Sequence, residues 1–314
     1  MKLFLLGRRG GVTHWLEEAA SAFRDAGHDV RLGVVRDPRL HPALQRALAA
    51  PIVDRIAARA RAFRPDLILA IGGYHVPVAL LEQLAAMPDR PPMAAWVGDN
   101  FAAEARTLAA FYDLAAYTDT GLERRHAELG FAAPALFAPH AVDPRFTAPP
   151  TQRTLRMVFV ANPTPGRRAV VAAIRRPVAI YGPGWAGMNS HEIHAGRLAA
   201  KALPGVYARH LASLNVRNEF NILTGLNQRN FQPYLTATPL VTDDPGDLSL
   251  CFEPGSEAFV WRNVDELNDL YARLLAAPEA AHQVGEAGRA RVLAHHTFDR
   301  RLELIAGHLG VTAS

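Results

Sequence analysis

Short apolar runs alternate with amphipathic stretches along the whole chain. The apolar run 2–7 predicts a buried strand, and a turn containing Gly10 and Gly11 follows it. Apolar residues at helical spacing then lead to a second apolar run over 28–35. A strand, a glycine-rich turn, a helix and another strand form a βαβ unit, which is typical of a parallel sheet.

The same pattern continues to the end of the chain. It predicts further strands over 66–71, 93–97, 114–117, 134–138, 155–160, 177–181 and 240–242. It predicts helices over 42–63, 77–87, 206–215, 264–277, 278–295 and 298–309, with His191 and His194 as polar helix residues. The proline-bearing stretch 146–151 interrupts the pattern and divides the chain into domains 1–148 and 149–314. The class is therefore α/β, with two Rossmann-like domains that face each other across a cleft and the last helix packing back on the first domain.

Composition excludes several classes of protein. The single cysteine, Cys251, rules out an internal disulfide and a cysteine-based zinc site. The net charge of +4 is modest, and no basic run has interleaved aromatic residues, so nucleic acid is not the expected partner. The start of the chain does not have the order of a signal peptide, and no apolar run approaches the length of a membrane span. We therefore expect a cytoplasmic protein.

A basic stripe runs along the predicted helix 42–63. It consists of Arg46, Arg55, Arg59 and Arg61. A solvated helix face explains such a stripe, and so does peripheral docking on an anionic membrane. The sequence leaves both open.

Polar residues follow several predicted strands, which is where open parallel sheets bind ligands. Gly10 and Gly11 let the backbone approach a phosphate at a helix N-terminus. His75 and Asp99 follow two other strands, and either could accept a proton from a hydroxyl group. A structural turn or cap is the alternative for both residues. His191 and His194 have no obvious third ligand, so no metal site is predicted.

The stretch 214–257 resembles the C-terminal half of the CgeB-like, spore-maturation type of glycosyltransferases, which belong to the wider GT-B class. The matching residues are Leu214, Asn215, Gly225, Asn227, Arg229, Phe231, Thr242, Asp243, Phe252, Gly255 and Glu257. Two positions depart from the family pattern: Gln232 replaces an acid, and Thr238 replaces a small residue.

This resemblance implies a sugar-donor site in the second domain. Arg167 or Arg168 would neutralise the donor diphosphate, and Arg229 would lie toward phosphate with Asn227 beside it. Gln232 stands where related enzymes use an acid to bind the ribose hydroxyls; an amide keeps one acceptor but lacks the charge-assisted strength of a carboxylate. Gly182 would leave room for a flat base or sugar, and Trp185 would either pack on that ligand or fill the core.

The implied reaction is transfer of a sugar, hexosyltransferase-like, from a nucleotide-sugar co-substrate, without metal or another cofactor. Retention of the anomeric configuration is favoured; inversion would require His75 or Asp99 as the base. The acceptor stays open among glycans, lipid-linked glycans, proteins and small molecules.

The sequence has two alternative interpretations as a class of protein. A catalytically inactive GT-B scaffold that binds a nucleotide or an anionic glycan is the main alternative, and Gln232 and Thr238 favour it. A dehydrogenase with the same strand and helix order is disfavoured, because Gly7, Gly10 and Gly11 lack the spacing of a dinucleotide-binding loop.

Overall fold

The chain folds into two compact units. The computed structural model describes residues 1–10, 15–36, 49–100 and 107–311. One unit comprises Met1–Pro139 with Phe298–Ser314, and the other comprises His140–Thr297. Gly11 and the predicted helix start over 42–48 lie outside the described residues.

Six parallel strands form the sheet of the first unit. They are β1 (Lys2–Arg8), β2 (Asp29–Arg36), β3 (Leu67–Ile71), β4 (Met93–Val97), β5 (Leu114–Tyr117) and β6 (Ala135–Phe137). Their order is β2-β1-β3-β4-β5-β6, and every neighbouring pair is parallel. Every residue of β3, β4 and β5 is buried, which explains why these strands read as continuous apolar runs.

Helices cover the faces of this sheet. The described helices are α1 (Trp15–Asp25), α2 (Ala49–Phe63), α3 (Val78–Ala85), α4 (Thr107–Ala110), α5 (Thr120–Glu128) and the last helix of the chain (Phe298–His308). The last helix belongs to this unit: the Phe298 ring lies 6.2 Å from the Phe23 ring, and Arg301 Nε donates to the Pro139 carbonyl at 2.6 Å. The first unit ends at Pro139, whereas the sequence places the boundary at 148.

The second unit has its own six-stranded parallel sheet. Its strands are β7 (Thr154–Val160), β8 (Ala179–Tyr181), β9 (Glu192–His194), β10 (His210–Asn215), β11 (Leu240–Asp243) and β12 (Phe259–Trp261). The order is β12-β11-β10-β7-β8-β9, so the chain reverses direction across the sheet between β7 and β10. This is the strand order of a doubly wound nucleotide-binding fold.

The helices of the second unit complete the Rossmann-like pattern predicted from the sequence. They are α6 (Pro165–Ala173), α7 (Leu203–Ala208), α8 (Leu248–Cys251), α9 (Val264–Ala276) and α10 (Pro278–His295); the last helix of the chain is α11. Short 3-10 helices at Gln228–Asn230 and Gln232–Thr236 connect β10 to β11.

Two local predictions were wrong. The stretch 206–215 is not one helix: α7 ends at Ala208, and His210–Asn215 is the central strand β10. All six residues of β10 are buried, so pairing with strands on both sides outweighs their helical composition. His191 and His194 are not helical either, because β9 spans Glu192–His194.

Helix α10 packs closely on the segment after β10. A Cβ atom added at Gly285 would lie 2.1 Å from the Ala237 carbonyl oxygen, and one at Gly288 would lie 2.1 Å from the Tyr234 ring. Ala237 has a φ of 52°, so the backbone at this contact is already in the left-handed region. The two glycines therefore position the segment that carries Gln232.

We expect Gly285→Ala to destabilise the protein. Alanine favours a helix by about 1 kcal/mol over glycine, but overpacking against a fixed carbonyl costs about 1–3 kcal/mol. The melting temperature should fall. Gly307→Ala in α11 is the control, because its Cβ would meet no atom within 4 Å. An equal or higher melting temperature for Gly285→Ala would contradict this packing.

Candidate functional site

The candidate site of the second unit lies where β7 and β10 end. These neighbouring strands mark the reversal in the sheet, and their carboxyl ends open a crevice in which such folds bind ligands. A cavity of about 560 Å³ lies here. Its described lining is Gly166, Val170, Val216, Arg217, Glu219, Asp243, Asp244, Trp261 and Arg262, so Arg167, Tyr207 and Arg229 are not part of it.

The N-terminus of α6 lies at this crevice. Thr164 caps the helix, because its Oγ1 accepts from the Arg167 backbone N–H at 3.3 Å, and Pro165 follows at the first helical position. The Thr164 hydroxyl also donates to Glu219 Oε2 at 3.2 Å. A carboxylate therefore lies beside a helix N-terminus, which is a place that favours anions.

Arg167 is held rigidly at the crevice. The residue is buried, with an exposed fraction of 2%. Nε donates to the Val216 carbonyl at 2.9 Å, and Nη1 donates to the Asn162 carbonyl at 3.1 Å. Nη2 is buried and has no hydrogen-bond partner among the described residues. Both N–H groups of Nη2 in this fixed guanidinium are therefore left without an acceptor among the described residues.

A second arginine acts on the first. Desolvation, and after it the positive charge of Arg229, lowers the pKa of Arg167 to about 10. The nearby carboxylates of Glu219 and Asp243 act in the opposite direction. Arg167 therefore stays charged at neutral pH, and Arg229 lies within electrostatic range of it.

Arg229 lies in the 3-10 helix Gln228–Asn230. Its backbone N–H donates to Asn227 Oδ1 at 2.9 Å, and Asn227 and Asn230 cap the turn reciprocally. Asn227 therefore shapes the turn that presents Arg229. Desolvation lowers the pKa of Arg229. Over the described ranges, its guanidinium makes no hydrogen bond or ion pair, so it is available to an anion.

Tyr207 is a site residue that the sequence did not single out. It lies on α7 and is 1% exposed, and its hydroxyl is buried without a partner in the described part of the chain. Burial raises its pKa, so the hydroxyl stays protonated and can donate. Arg229 and Tyr207 interact electrostatically. No sequence signal marks this tyrosine, because only the packing of α7 brings it to Arg229.

A polar network links the ends of β10 and β11. Asn215 Nδ2 donates to Thr242 Oγ1 at 3.0 Å, and the Arg217 backbone N–H donates to Asp243 Oδ1 at 3.2 Å. Asn227 Nδ2 donates to Asn215 Oδ1 at 3.5 Å. Burial raises the pKa of Asp243. The network fixes the loops on both sides of the cavity.

Gln232 begins the next 3-10 helix and is 3% exposed. Its contact with the ribose of a donor stays a prediction.

Three other predicted residues are used to hold a loop. Arg168 donates to the Gly184 carbonyl, and its guanidinium lies 5.7 Å from the centre of the Trp185 ring. Trp185 is 0% exposed and donates to the Ala161 carbonyl at 2.7 Å. Trp185 therefore fills the core, which is one of the two alternatives left by the sequence. A Cβ at Gly182 would lie 2.4 Å from the Ala161 carbonyl oxygen, so this glycine permits close approach of two loops.

The predicted residues of the first unit follow its strands. Gly10 comes after β1 with a φ of 74°, which favours glycine. His75 ends the 3-10 helix Gly73–His75 after β3, and Asp99 lies exposed after β4. All three are at the carboxyl edge of the sheet. Gly11 is outside the described residues.

His75 lies in a positive environment. Its Nε2 is 3.4 Å from Arg8 Nη1. Desolvation, and then the charges of Arg8 and Arg36, lowers the pKa of His75 to about 4. A neutral imidazole accepts the Arg8 hydrogen bond through Nε2, and that lone pair is then unavailable to a hydroxyl. This geometry weakens the case for His75 as a base, which remains a prediction.

We expect the imidazole of His75 to titrate near pH 4, below the usual histidine value of about 6.5. Arg8→Gln should move the midpoint upward, because it removes a positive charge that opposes protonation. Arg61→Gln is the control, since Arg61 is not among the charges that act on the ring. NMR titration of the imidazole measures all three proteins. A wild-type midpoint near 6.5 would contradict the electrostatic environment described above.

No group of three or more histidine, cysteine or carboxylate side chains along the described ranges is arranged to hold a metal ion. His191 bridges two backbone segments: Nε2 lies 3.0 Å from the Val171 carbonyl oxygen, and Nδ1 accepts from the Val178 N–H at 3.3 Å. No helix within these ranges has the length and apolar character that crossing a bilayer requires.

Most of the second unit resembles a known protein family. Residues 165–307 match the family described as glycosyl transferase-like. This region begins at α6 and includes Arg167, Tyr207, Arg229 and Gln232. No curated protein sequence matches the chain.

Solved structures match over the full length. Sucrose-phosphate synthase from Thermosynechococcus elongatus is 13% identical in sequence with a TM-score of 0.70. The alignment covers 99% of this chain and 98% of the synthase chain. Anabaena Alr3699/HepE in complex with UDP-glucose has 14% identity and a TM-score of 0.70, covering 99% and 100%. AviGT4, a glycosyltransferase involved in avilamycin A biosynthesis, has 15% identity and a TM-score of 0.66, covering 98% and 97%. The chain therefore has the GT-B fold, and its residues 165–307 carry the sequence pattern of glycosyl transferase-like proteins.

Proposed function

We propose that this protein is a glycosyltransferase that moves a sugar from a nucleoside-diphosphate sugar to an acceptor hydroxyl. The observation that carries the proposal is a set of unpartnered hydrogen-bond donors that interact electrostatically, Arg229 with Arg167 and Tyr207 with Arg229. Arg167 Nη2 and the Tyr207 hydroxyl are both buried without a described partner, and the Arg229 guanidinium makes no described bond. An anion such as a diphosphate would satisfy all three.

The family match and the fold support the same proposal. The glycosyl transferase-like region contains the three residues. A structure with the same fold, Anabaena Alr3699/HepE, is known with UDP and with UDP-glucose. We therefore take a uridine diphosphate sugar as the first donor to test.

The proposed reaction breaks the bond between the anomeric carbon and the diphosphate oxygen. The acceptor oxygen bonds to that carbon and loses its proton, and the nucleoside diphosphate leaves with the bonding electrons. Negative charge grows on the leaving oxygen. Fixed positive groups lower the barrier most when they face that charge before the reaction begins, and Arg167 is fixed by two carbonyls.

We further propose that two guanidinium groups and the α6 N-terminus supply the positive charge that the leaving diphosphate needs, so that no metal is required. The finer features predicted from the sequence belong to this proposal. They are the CgeB-like subtype, hexosyl transfer with retention, and action in the cytoplasm.

We expect the UDP affinity to fall in Arg229→Gln by roughly 10- to 150-fold, because a hydrogen bond to a charged group contributes about 1.5–3 kcal/mol. Tyr207→Phe should cost about 2- to 10-fold, because it removes a neutral donor and keeps the ring. Uridine, which has no diphosphate, should bind all variants equally. Isothermal titration calorimetry measures these affinities.

Arg168→Gln is the matched control. It neighbours Arg167 but bonds to the loop carbonyls of Gly184 and Ala186, so UDP should bind it within about threefold of wild type. The proposed sugar-donor site would be contradicted if the wild type had no higher affinity for UDP than for uridine. Equal losses for UDP and uridine would indicate damage to the fold.

The second candidate function is an inactive scaffold that binds a nucleotide, and Gln232 is the observation that favours it. We expect Gln232→Glu to tighten binding of UDP and uridine by about fivefold, because a carboxylate makes stronger hydrogen bonds to ribose hydroxyls than an amide does. Slow hydrolysis of UDP-glucose without acceptor, measured by glucose release, identifies an enzyme. UDP binding without hydrolysis or transfer in either protein would favour the scaffold.

A further inference from the structure

The first unit contains a cavity of about 1200 Å³ that is rich in arginine. It lies against β2, α2 and the start of α3, and it reaches His75. Its described lining includes Arg8, Arg9, Arg24, Arg31, Arg36, Arg55 and Arg59. Asp54 is the one acid in that described lining, and Asp54 already accepts from Gln83 at 2.8 Å.

Five of these arginines have no acidic partner among the described residues; one of the five, Arg24, donates to the Val30 carbonyl at 3.1 Å. Arg9 pairs with Glu17 at 3.5 Å and Arg31 with Asp29 at 3.7 Å. Arg8 contacts only the neutral ring of His75. Arg36, Arg55 and Arg59 form no described ion pair.

Like charges are placed side by side on two separate elements. Arg8 and Arg36 are register partners at the carboxyl ends of β1 and β2, just after an irregularity at Gly7. Arg55 and Arg59 are four residues apart on α2, so they share one helix face, and both are exposed. Each arrangement is repulsive without an anion. Both line the same cavity.

The position of the cavity matches a ligand site. Strands β1 and β3 are neighbours, although β2 lies between them in sequence, so the chain reverses direction at this point of the sheet. Arg8 ends β1, Arg36 ends β2 and His75 follows β3. Ligands of open parallel sheets bind at such carboxyl edges.

We propose that the acceptor carries a phosphate group and binds in this cavity, with Arg8, Arg36, Arg55 and Arg59 holding the phosphate. The planar guanidinium matches phosphate oxygens in pairs, which favours phosphate over a single point charge. The proposal rests on the proposed function, because the phosphate compound is an acceptor only if the protein transfers a sugar to it. The phosphate belongs either to a soluble sugar phosphate or to the headgroup of a lipid-linked acceptor.

The test measures binding of glucose 6-phosphate, with glucose as the uncharged control. We expect saturable binding of the phosphate ester to the wild type and at least about fivefold weaker binding to Arg55→Gln and to Arg59→Gln. Arg61→Gln is the matched control: Arg61 is exposed on the same helix but does not line the cavity, so affinity should not change. The melting temperatures of Arg55→Gln and Arg59→Gln should stay equal or rise, because a repulsion is removed.

A second arm distinguishes the source of the phosphate. Sedimentation with phosphatidylglycerol vesicles, compared with phosphatidylcholine vesicles, should depend on Arg55 and Arg59 but not on Arg61 if the phosphate is a lipid headgroup. The proposal is overturned if neither probe binds, if glucose binds as well as its phosphate, or if Arg61→Gln loses as much affinity as Arg55→Gln.

UDP binding, measured in parallel, separates this inference from the proposed function. Arg55→Gln should bind UDP as the wild type does. If the wild type binds glucose 6-phosphate but not UDP, the glycosyltransferase proposal is overturned and only an anion site remains. Normal UDP binding without phosphate binding would overturn only the acceptor proposal.

Discussion

The guanidinium of Arg167 is the constraint on which the second unit's site depends. It joins the loop after β7 to the loop after β10 through the carbonyls of Asn162 and Val216. A buried charge is costly unless it is hydrogen-bonded, so both loops must stay where these two carbonyls meet it. The third nitrogen has no described partner. The bonds that hold the two loops therefore use Nε and Nη1 and leave Nη2 of the same charged group without an acceptor.

Positively charged side chains lie near each other in both units. In the second unit, Arg167 and Arg229 lie within electrostatic range, and Tyr207 adds a buried hydroxyl. In the first, Arg8 opposes Arg36 across two strands. Repulsion of this kind lowers stability and is relieved when an anion binds. A protein that transfers sugar from a diphosphate to a phosphorylated acceptor would need one such site for each substrate.

Other residues position the segments that carry the proposed ligand-binding side chains. Asn227 caps the turn that carries Arg229, and Gly285 lets α10 approach Ala237 beside the Gln232 segment. Trp185 and Gly182 bind two loops together rather than exposing a surface. Single substitutions at Asn227 and Gly285 act through the geometry of Arg229 and Gln232, so we expect their effects on ligand affinity to accompany effects on stability.

The sequence by itself determined the alternation of strands and helices, the α/β class and the glycosyl transferase-like pattern, because buried parallel strands such as β4 read as apolar runs and amphipathic helices such as α10 keep their spacing. It failed at β10, where Leu and Ala suggest a helix but strand partners on both sides decide. Only the tertiary structure separated Arg167 from Arg168 and revealed Tyr207, because burial and the absence of a hydrogen-bond partner depend on residues far apart in the chain.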